Sequence, residues 1–288
     1  MIKEFFWIGI RGELLFAITK RGKNKIIRTS PLKDVKGILV DIDGTLYFKE
    51  SPTKGANETV SKLRNRKKIL FLTNTDSQTP KTIQKKLIKL GFSIQKKEIF
   101  TPINALQNFL QKNKDKTIFL VASKEIEKEF KEFKSISKEE IPDFVIISDF
   151  TDNWDVHRLN RAFRYLLKGA KLFGTQGNRY CLDMKGQPLI DTGSFVRMLA
   201  KAAGVSYKIF GKPSKEFFNQ ALNKINLKSE ECIVVGDDLE SDIAGAINAN
   251  IKAVLVKTGK AVNYQDSNKK IQPFLVIDDF GTLLKWLK

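Results

Sequence analysis

One histidine and two cysteines are all that this chain of 288 residues holds of those side chains. With His157 alone, neither a histidine-built metal site nor a phosphatase working through paired histidines can be assembled. His157 stands in Trp154-Asp155-Val156-His157-Arg158, near an expected helix start, and reads as a surface or packing residue. Cys181 and Cys232 are too few for a disulfide framework, and Cys232 falls in an expected buried strand. That usage agrees with a reducing, cytoplasmic setting. Neither cysteine leads into the glycine-rich loop and arginine of a cysteine phosphatase, and no Gly-x-x-x-x-Gly-Lys-Ser/Thr loop occurs, which argues against a P-loop NTPase. Long hydrophobic runs are missing as well. No stretch approaches the roughly 20 apolar residues of a membrane span. Phe5–Ile10 is broken by Arg11 and Glu13, and no small-residue cleavage site follows, so neither a signal peptide nor a membrane partner is expected.

Positive charge is abundant. Lys and Arg number 51 against 32 Asp and Glu, a formal net charge of +19. Such a surface attracts phosphorylated small molecules as readily as nucleic acid or anionic lipid. The lysines are scattered along helical stretches such as 81–89 and 124–138, with glutamates interleaved in the second. No arginine-rich arm with interleaved aromatics occurs, so no specific nucleic-acid partner is expected. Hydrophobic residues make up 42%, as in soluble globular proteins, and the length suffices for one large or two modest domains.

The chain is organised around residues 37–47, Gly-Ile-Leu-Val-Asp-Ile-Asp-Gly-Thr-Leu-Tyr. An apolar run ending in a glycine turn reads as a strand buried on both faces, in the middle of a parallel sheet. Ligands bind beyond the carboxyl ends of such strands, where Asp41 and Asp43 fall. Two acids one residue apart repel unless a cation or a shared proton joins them, and Mg²⁺ is the natural oxygen-liganded ion.

Strands and helices then alternate. A helix is expected over about 53–66, a strand over Lys68–Leu72 ending in Thr73-Asn74-Thr75, a helix from Pro80 to Leu90 stopped by Gly91, and another helix after Pro102. From about residue 109 the rhythm restarts, with strands at Thr117–Ala122, Phe144–Ser148 and Lys171–Gly174 and helices at Glu125–Phe133 and Leu159–Leu167. This block reads as a second α/β lobe inserted into the first. From 205 onward the first pattern resumes. It runs through Lys208-Ile209-Phe210, Gly211-Lys212-Pro213, a helix 214–226 and Cys232–Val235, which leads into Gly236-Asp237-Asp238. A helix 241–249, strands Ala253–Val256 and Phe274–Ile277, and a helix 281–287 complete it. Residues 1–36 carry nine basic and three acidic residues, and suggest a frayed extension or an added edge hairpin of Phe5–Ile10 with Leu14–Thr19.

Polar groups are thus expected at four strand ends: Asp41 with Asp43, Thr73 with Asn74, Lys212, and Asp237 with Asp242. In a parallel sheet these ends meet on one rim. Three carboxylates for Mg²⁺, a lysine, a hydroxyl and the loop N–H groups after Asp43, at Gly44 and Thr45, suit a dianionic phosphoryl group that a carboxylate attacks. Singly, each also reads as loop, turn or helix-cap chemistry.

Together, Asp41-Ile42-Asp43-Gly44-Thr45, Thr73-Asn74, Lys212-Pro213 and Gly236-Asp237-Asp238-Leu239-Glu240-Ser241-Asp242 resemble the four motifs of the haloacid dehalogenase superfamily. The insertion between the second and third resembles the cap of subfamily IIA, the NagD-like phosphatases. The resemblance spans roughly 36–288. It implies an α/β fold with a Rossmann-like parallel-sheet core (36–108 and 206–288), an inserted α/β cap of the C2 type (109–205), and a basic N-terminal extension (1–35) outside both. It also implies residue roles. Asp41 is the nucleophile that becomes an aspartyl-phosphate, and Asp43 is the general acid and then the base. The Asp43 carbonyl with Asp41 and Asp237 holds Mg²⁺, and Asp242 orients Lys212 or a metal-bound water. Gly44, Thr45, Thr73 and Asn74 bind the phosphoryl group. Many NagD-like members have Thr-Asn-x-Asp where this chain has Thr175-Gln176-Gly177-Asn178, followed by Arg179-Tyr180. Asn178 and Arg179 are therefore candidate cap residues for a second anionic group on the substrate.

The expected activity is Mg²⁺-dependent hydrolysis of a small phosphorylated metabolite, pyrophosphate or a phosphoramidate. Two alternatives share the motifs: a basic binding protein that lost turnover, and a phosphotransferase with an alcohol acceptor. Assembly stays open, with a homodimer through the cap as one form.

Overall fold

The strand carrying Asp41 has all five residues buried, with side chains alternating between two apolar layers. The computed structural model describes residues 7–10, 13–20, 23–28, 30–136, 140–182, 187–265 and 270–287. In chain order its strands are β1 (Trp7–Ile10), β2 (Glu13–Lys20), β3 (Lys23–Arg28), β4 (Gly37–Asp41), β5 (Tyr47–Phe48), β6 (Ser51–Pro52), β7 (Lys68–Leu72) and β8 (Ile99–Phe100). They continue with β9 (Ile118–Val121), β10 (Phe144–Ile147), β11 (Lys171–Gly174), β12 (Tyr180–Leu182), β13 (Pro188–Ile190), β14 (Tyr207–Ile209), β15 (Cys232–Gly236), β16 (Lys252–Val256) and β17 (Leu275–Ile277). The helices are α1 (Ala56–Arg64), α2 (Pro80–Lys89), α3 (Pro102–Gln111), α4 (Lys124–Glu129), α5 (Val156–Leu167), α6 (Thr192–Ala203), α7 (Lys215–Ile225) and α8 (Ala244–Asn248).

The larger sheet is parallel, in the order β17-β16-β15-β4-β7-β8. From β4 the chain first builds outward through β7 and β8, then returns to the other flank through β15, β16 and β17. The order therefore reverses at β4, which places a crevice at the end of that strand. Ile38, Val40, Phe71 and Val235 pack on one face against Val60, Leu63, Ile83 and Phe280. Leu39, Leu70, Leu72 and Val234 pack on the other against Phe217, Phe218, Leu222 and Ala246. Local signals set the helix ends. The Thr79 hydroxyl accepts from the Thr82 N–H ahead of Pro80, Thr101 and Asn104 form a capping box at α3, and Gly91 leaves α2 at φ +85°.

The smaller sheet is also parallel, in the order β14-β11-β10-β9. Val121, Val145, Ile147 and Leu172 on one face pack under α5 and α6. Phe144, Ile146 and Phe173 on the other face join the apolar cluster of the larger unit. Phe109 lies at that junction, with ring centroids 5.4 Å from Phe173 and 5.2 Å from Phe210. The α/β architecture expected from sequence is therefore the observed one.

Several elements differ from expectation. Lys208-Ile209-Phe210, read as resuming the larger sheet, instead lies in and just after β14, which pairs with β11. A three-residue apolar run carries no information about which sheet edge it will join. Helix α6 went unforeseen, because Thr192-Gly193-Ser194 opens it with weak helix formers. The glycine is required there, since a Cβ at position 193 would lie 2.4 Å from the Gly177 carbonyl carbon. The expected helix 241–249 begins as a π-turn, Leu239–Ile243, and the C-terminal helix is a 3₁₀ segment, Phe280–Lys285. In the N-terminal segment β1 and β2 form the expected hairpin, and β3 adds a third antiparallel strand.

Phe210→Ala should cost about 3–5 kcal/mol, the usual range for emptying a buried phenylalanine site. Urea unfolding measures it, and a loss below about 1 kcal/mol would show that the sheets do not lean on this ring.

Candidate active site

Asp41 closes β4 and is 5% exposed. Its Oδ1 lies 2.5 Å from Lys212 Nζ, which also reaches Asp242 Oδ1 at 2.6 Å. All three side chains are buried. Burial and the charge of Asp242 push the Asp41 carboxyl well above the usual carboxylate range, with Lys212 pulling the other way. Burial alone would depress Lys212, but the Asp242 and Asp41 carboxylates raise it, so it stays an ammonium ion.

Asp237 follows β15, where burial and Asp242 push it up to about 7. The Lys260 N–H donates to its Oδ2 at 2.6 Å. Carboxylate oxygens of Asp41, Asp237 and Asp242 all lie within 4.8 Å of one another. Both Asp242 oxygens already accept hydrogen bonds, from Lys212 Nζ and from the Asp238 N–H at 3.2 Å. Asp41 Oδ2 is buried without a hydrogen-bond partner among the described residues. A hard divalent cation fits these residues, because it would take up the orphaned oxygen and offset the mutual repulsion. Two glycines make room for the carboxylates. A Cβ on Gly44, at φ +87°, would stand 2.2 Å from Asp237 Oδ2, and one on Gly236 would stand 2.3 Å from Asp242 Oδ2.

Asp43 is exposed, two residues beyond the end of β4. Its Oδ1 accepts from the Tyr47 hydroxyl, to which Lys86 Nζ donates at 2.8 Å. The hydroxyls of Thr73 and Thr75 stand 3.4 and 3.5 Å from Asp43 Oδ2. Tyr47 stands four residues after Asp43, whereas Lys86 carries no motif of its own and only the fold brings it to Tyr47. The segment between Asp43 and α1 is a short two-stranded ribbon of β5 and β6. Thr45 is fully buried at its base, its hydroxyl without a partner among the described residues. The Gly44 carbonyl accepts from the Thr258 hydroxyl at 2.5 Å.

Asn74 occupies the end of the adjacent strand, but its side-chain amide is already engaged. Its Oδ1 accepts from the Lys212 N–H at 2.8 Å, and its Nδ2 donates to the Lys212 carbonyl at 3.0 Å. That paired contact fixes the backbone from which the lysine projects. A Cβ on Gly211 would lie 2.6 Å from Asn74 Oδ1, so the close approach needs glycine there. Lys212 thus reaches the rim from the end of β14 in the smaller sheet, and not from a strand of the larger one.

From the smaller unit, Asn178 Oδ1 accepts from Asn74 Nδ2 at 3.3 Å. The Thr175–Asn178 loop therefore stands beside the rim. Arg179 is exposed next to it, and its backbone carbonyl accepts from the Asp191 N–H and the Ser194 hydroxyl. Its guanidinium makes no ion pair among the described residues. His157 is exposed in the first turn of α5, and both cysteines are free thiols. Among the described residues no helix is long and apolar enough to cross a membrane.

Comparison with known proteins matches these features to a family. Residues 38–135 match the family model described as haloacid dehalogenase-like hydrolase, and residues 209–283 match a second HAD-hydrolase-like model. The chain is 33% identical over 247 residues to haloacid dehalogenase-like hydrolase domain-containing protein 2 of Bos taurus, covering 85% of this chain and 93% of that protein. It is 32% identical over 257 residues to phospholysine phosphohistidine inorganic pyrophosphate phosphatase of Danio rerio, covering 87% and 93%. Among solved structures, 4-nitrophenylphosphatase from Thermotoga maritima superposes with a TM-score of 0.81 at 26% identity, covering 89% of this chain and 99% of that one.

Mg²⁺ should raise the melting temperature in a concentration-dependent way, by about 2.7 kcal/mol of stabilisation at a hundred times its dissociation constant. Asp237→Asn should abolish most of that rise. A thermal scan with Mg²⁺ and with EDTA checks this, and equal shifts in both proteins would place the ion elsewhere.

Proposed function

This chain belongs to the haloacid dehalogenase-like hydrolases and is a phosphoric-ester hydrolase; on that premise we propose that it dephosphorylates small compounds through a Mg²⁺-dependent reaction in which Asp41 is transiently phosphorylated. The state of Asp41 carries this reading. One of its oxygens is hydrogen-bonded to a buried ammonium ion, and the other is buried with no partner among the described residues. A carboxylate held in this way needs no ordering to attack, and Lys212 is already in position for the charge that develops.

Asp41 attacks phosphorus, the bond to the leaving-group oxygen breaks, and Asp43 delivers a proton to that oxygen. Asp43 then takes a proton from water, whose oxygen attacks the phosphorus of the acyl phosphate. The bond to Asp41 breaks, inorganic phosphate leaves, and Asp41 returns as a carboxylate. Tyr47 holds Asp43 Oδ1 throughout, which restricts the rotation of an otherwise exposed side chain. The Thr73 hydroxyl and the Thr45 N–H donate to the phosphoryl oxygens, whereas the Gly44 N–H, expected to join them, is taken up by the Tyr47 carbonyl at 2.7 Å. Asn74 acts by keeping Lys212 in place. Mg²⁺ held by Asp41, Asp237 and the Asp43 carbonyl would neutralise phosphoryl charge. Asp242 aims Lys212.

The substrate class is small anions with a second charge. One relative is named for phospholysine, phosphohistidine and inorganic pyrophosphate. A net charge of +19 draws such anions, and the exposed Arg179 directly follows Asn178, which touches Asn74.

Asp41→Asn should lower turnover about 10³-fold or more while leaving the fold intact, because an amide is nearly isosteric but not a nucleophile. Phosphate release from a folded, pure sample within a few-fold of wild type would remove Asp41 from this role. Arg179→Ala should raise KM for pyrophosphate about tenfold and change KM for p-nitrophenyl phosphate much less. Equal effects on the two substrates would separate Arg179 from recognition of the second charge.

A further inference from the structure

Another carboxylate is buried outside this constellation. Asp76 follows the Thr73-Asn74-Thr75 loop of the larger unit and is 3% exposed, yet its side chain is held by the smaller one. Asp76 Oδ2 accepts from the hydroxyls of Thr175 and Thr192, the latter at 2.9 Å, and from the Asp149 N–H at 3.1 Å. The Asp76 carbonyl accepts from the Ser148 hydroxyl at 2.9 Å. Ser148 and Asp149 follow β10, Thr175 follows β11, and Thr192 opens α6. Three segments of the smaller unit therefore close on one residue of the larger.

Those contacts lead back to the site. Thr175 is the first residue of the loop that ends at Asn178, and Asn178 touches Asn74. The start of α6 braces the same loop: the Gln176 amide donates to Asp191 Oδ1, the N-cap of the helix, and Arg197 donates to the Gly177 carbonyl at 3.0 Å. Asn74 in turn holds both backbone groups of Lys212.

We propose that Asp76 is a positioning residue, a pin that fixes the Thr175–Asn178 loop, and with it the roof made by the smaller unit, over Asn74 and the phosphoryl site. Asp76 is held by hydroxyls and a backbone amide, which give direction at modest strength. Burial and the charge of Asp191 push it up to about 7, and Asp149 and Cys181 are the other titratable groups near it. A folded-state value above the unfolded one means that the carboxyl favours the fold at low pH and loses that contribution as pH rises from about 4 to about 7. Once ionised, the carboxylate therefore no longer favours the fold, and its effect lies in the placement of the donors around it.

The kinetic arm of the test rests on the phosphatase reading, whereas the exchange arm does not. Asp76→Ala removes the shared acceptor. KM for p-nitrophenyl phosphate should rise about tenfold with kcat within about threefold, because Asp41 and Asp242 hold the Lys212 ammonium independently of the roof. Asp76→Asn, which keeps the shape and one acceptor oxygen, should restore most of the loss. In an Asn178→Ala background Asp76→Ala should add little, since two residues that do not touch couple only through an element they share. Amide hydrogen exchange should quicken together in residues 73–79 and 175–182 of Asp76→Ala. If Asp76→Ala does not fold, the Thr175→Val/Thr192→Val variant removes two donors, leaves the carboxylate in place and carries the same expectations. A fall in kcat with KM unchanged, full additivity with Asn178→Ala, or unchanged exchange in 175–182 would each overturn the pin. A wild type without turnover would count against the phosphatase reading and leave the exchange result to decide the role of Asp76.

Discussion

An ammonium ion held between two buried carboxylates is the contact on which the site depends. Asp41, Asp237 and Asp242 crowd within 4.8 Å at the mouth of a sheet, where burial alone disfavours each negative charge. Lys212 offsets two of them directly. Removing one partner from such a group typically costs about 3–5 kcal/mol, because a charge is left buried and uncompensated. The same excess of negative charge makes the cluster receptive to a divalent cation. The site is arranged to be completed by what binds there.

Keeping Lys212 in place involves both halves of the molecule. Asn74, at the end of a strand in the larger sheet, grips the lysine backbone through two hydrogen bonds. The lysine itself arrives from β14, the edge strand of the smaller sheet. Around Phe109 the apolar clusters of the two sheets merge, so their relative placement is set by packing as well as by the polar contacts above it. Asn178, Asp76 and the start of α6 then tie the roof to the loop that holds the lysine. Chemistry and access are thus adjusted through neighbouring residues of one loop, Asn74 and Asp76.

Much of this was legible in the sequence. The buried apolar run into Asp41 announced a central parallel strand, because only a strand covered on both faces dispenses with polar alternation. Helix boundaries marked by Thr79-Pro80, Thr101-Pro102 and Gly91 were readable, because capping and positive φ are local chemistry. The alignment of Asp41, Thr73 and Asp237 on one rim followed from the parallel sheet that the strand–helix alternation implies. Tyr47, Lys86 and Asp76 were not legible. Each is an ordinary residue in its own neighbourhood, and its part in the site comes from partners 39 to 116 positions away, apart from the Tyr47–Asp43 contact.

By itself the sequence determined the residue types at each strand end, the alternation that makes an α/β fold, and the spacing of acids around Gly44, since these depend on near neighbours and on backbone chemistry. Tertiary structure alone decided which sheet β14 would join, and hence from which side Lys212 would enter. It also decided that the Asn74 amide would hold a lysine backbone, and that Asp76 would turn away from its own unit. The physical reason is the same in each case. Edge pairing, hydrogen-bond partners and the burial of a charge are set by what packs alongside, and a short run of chain does not carry that information.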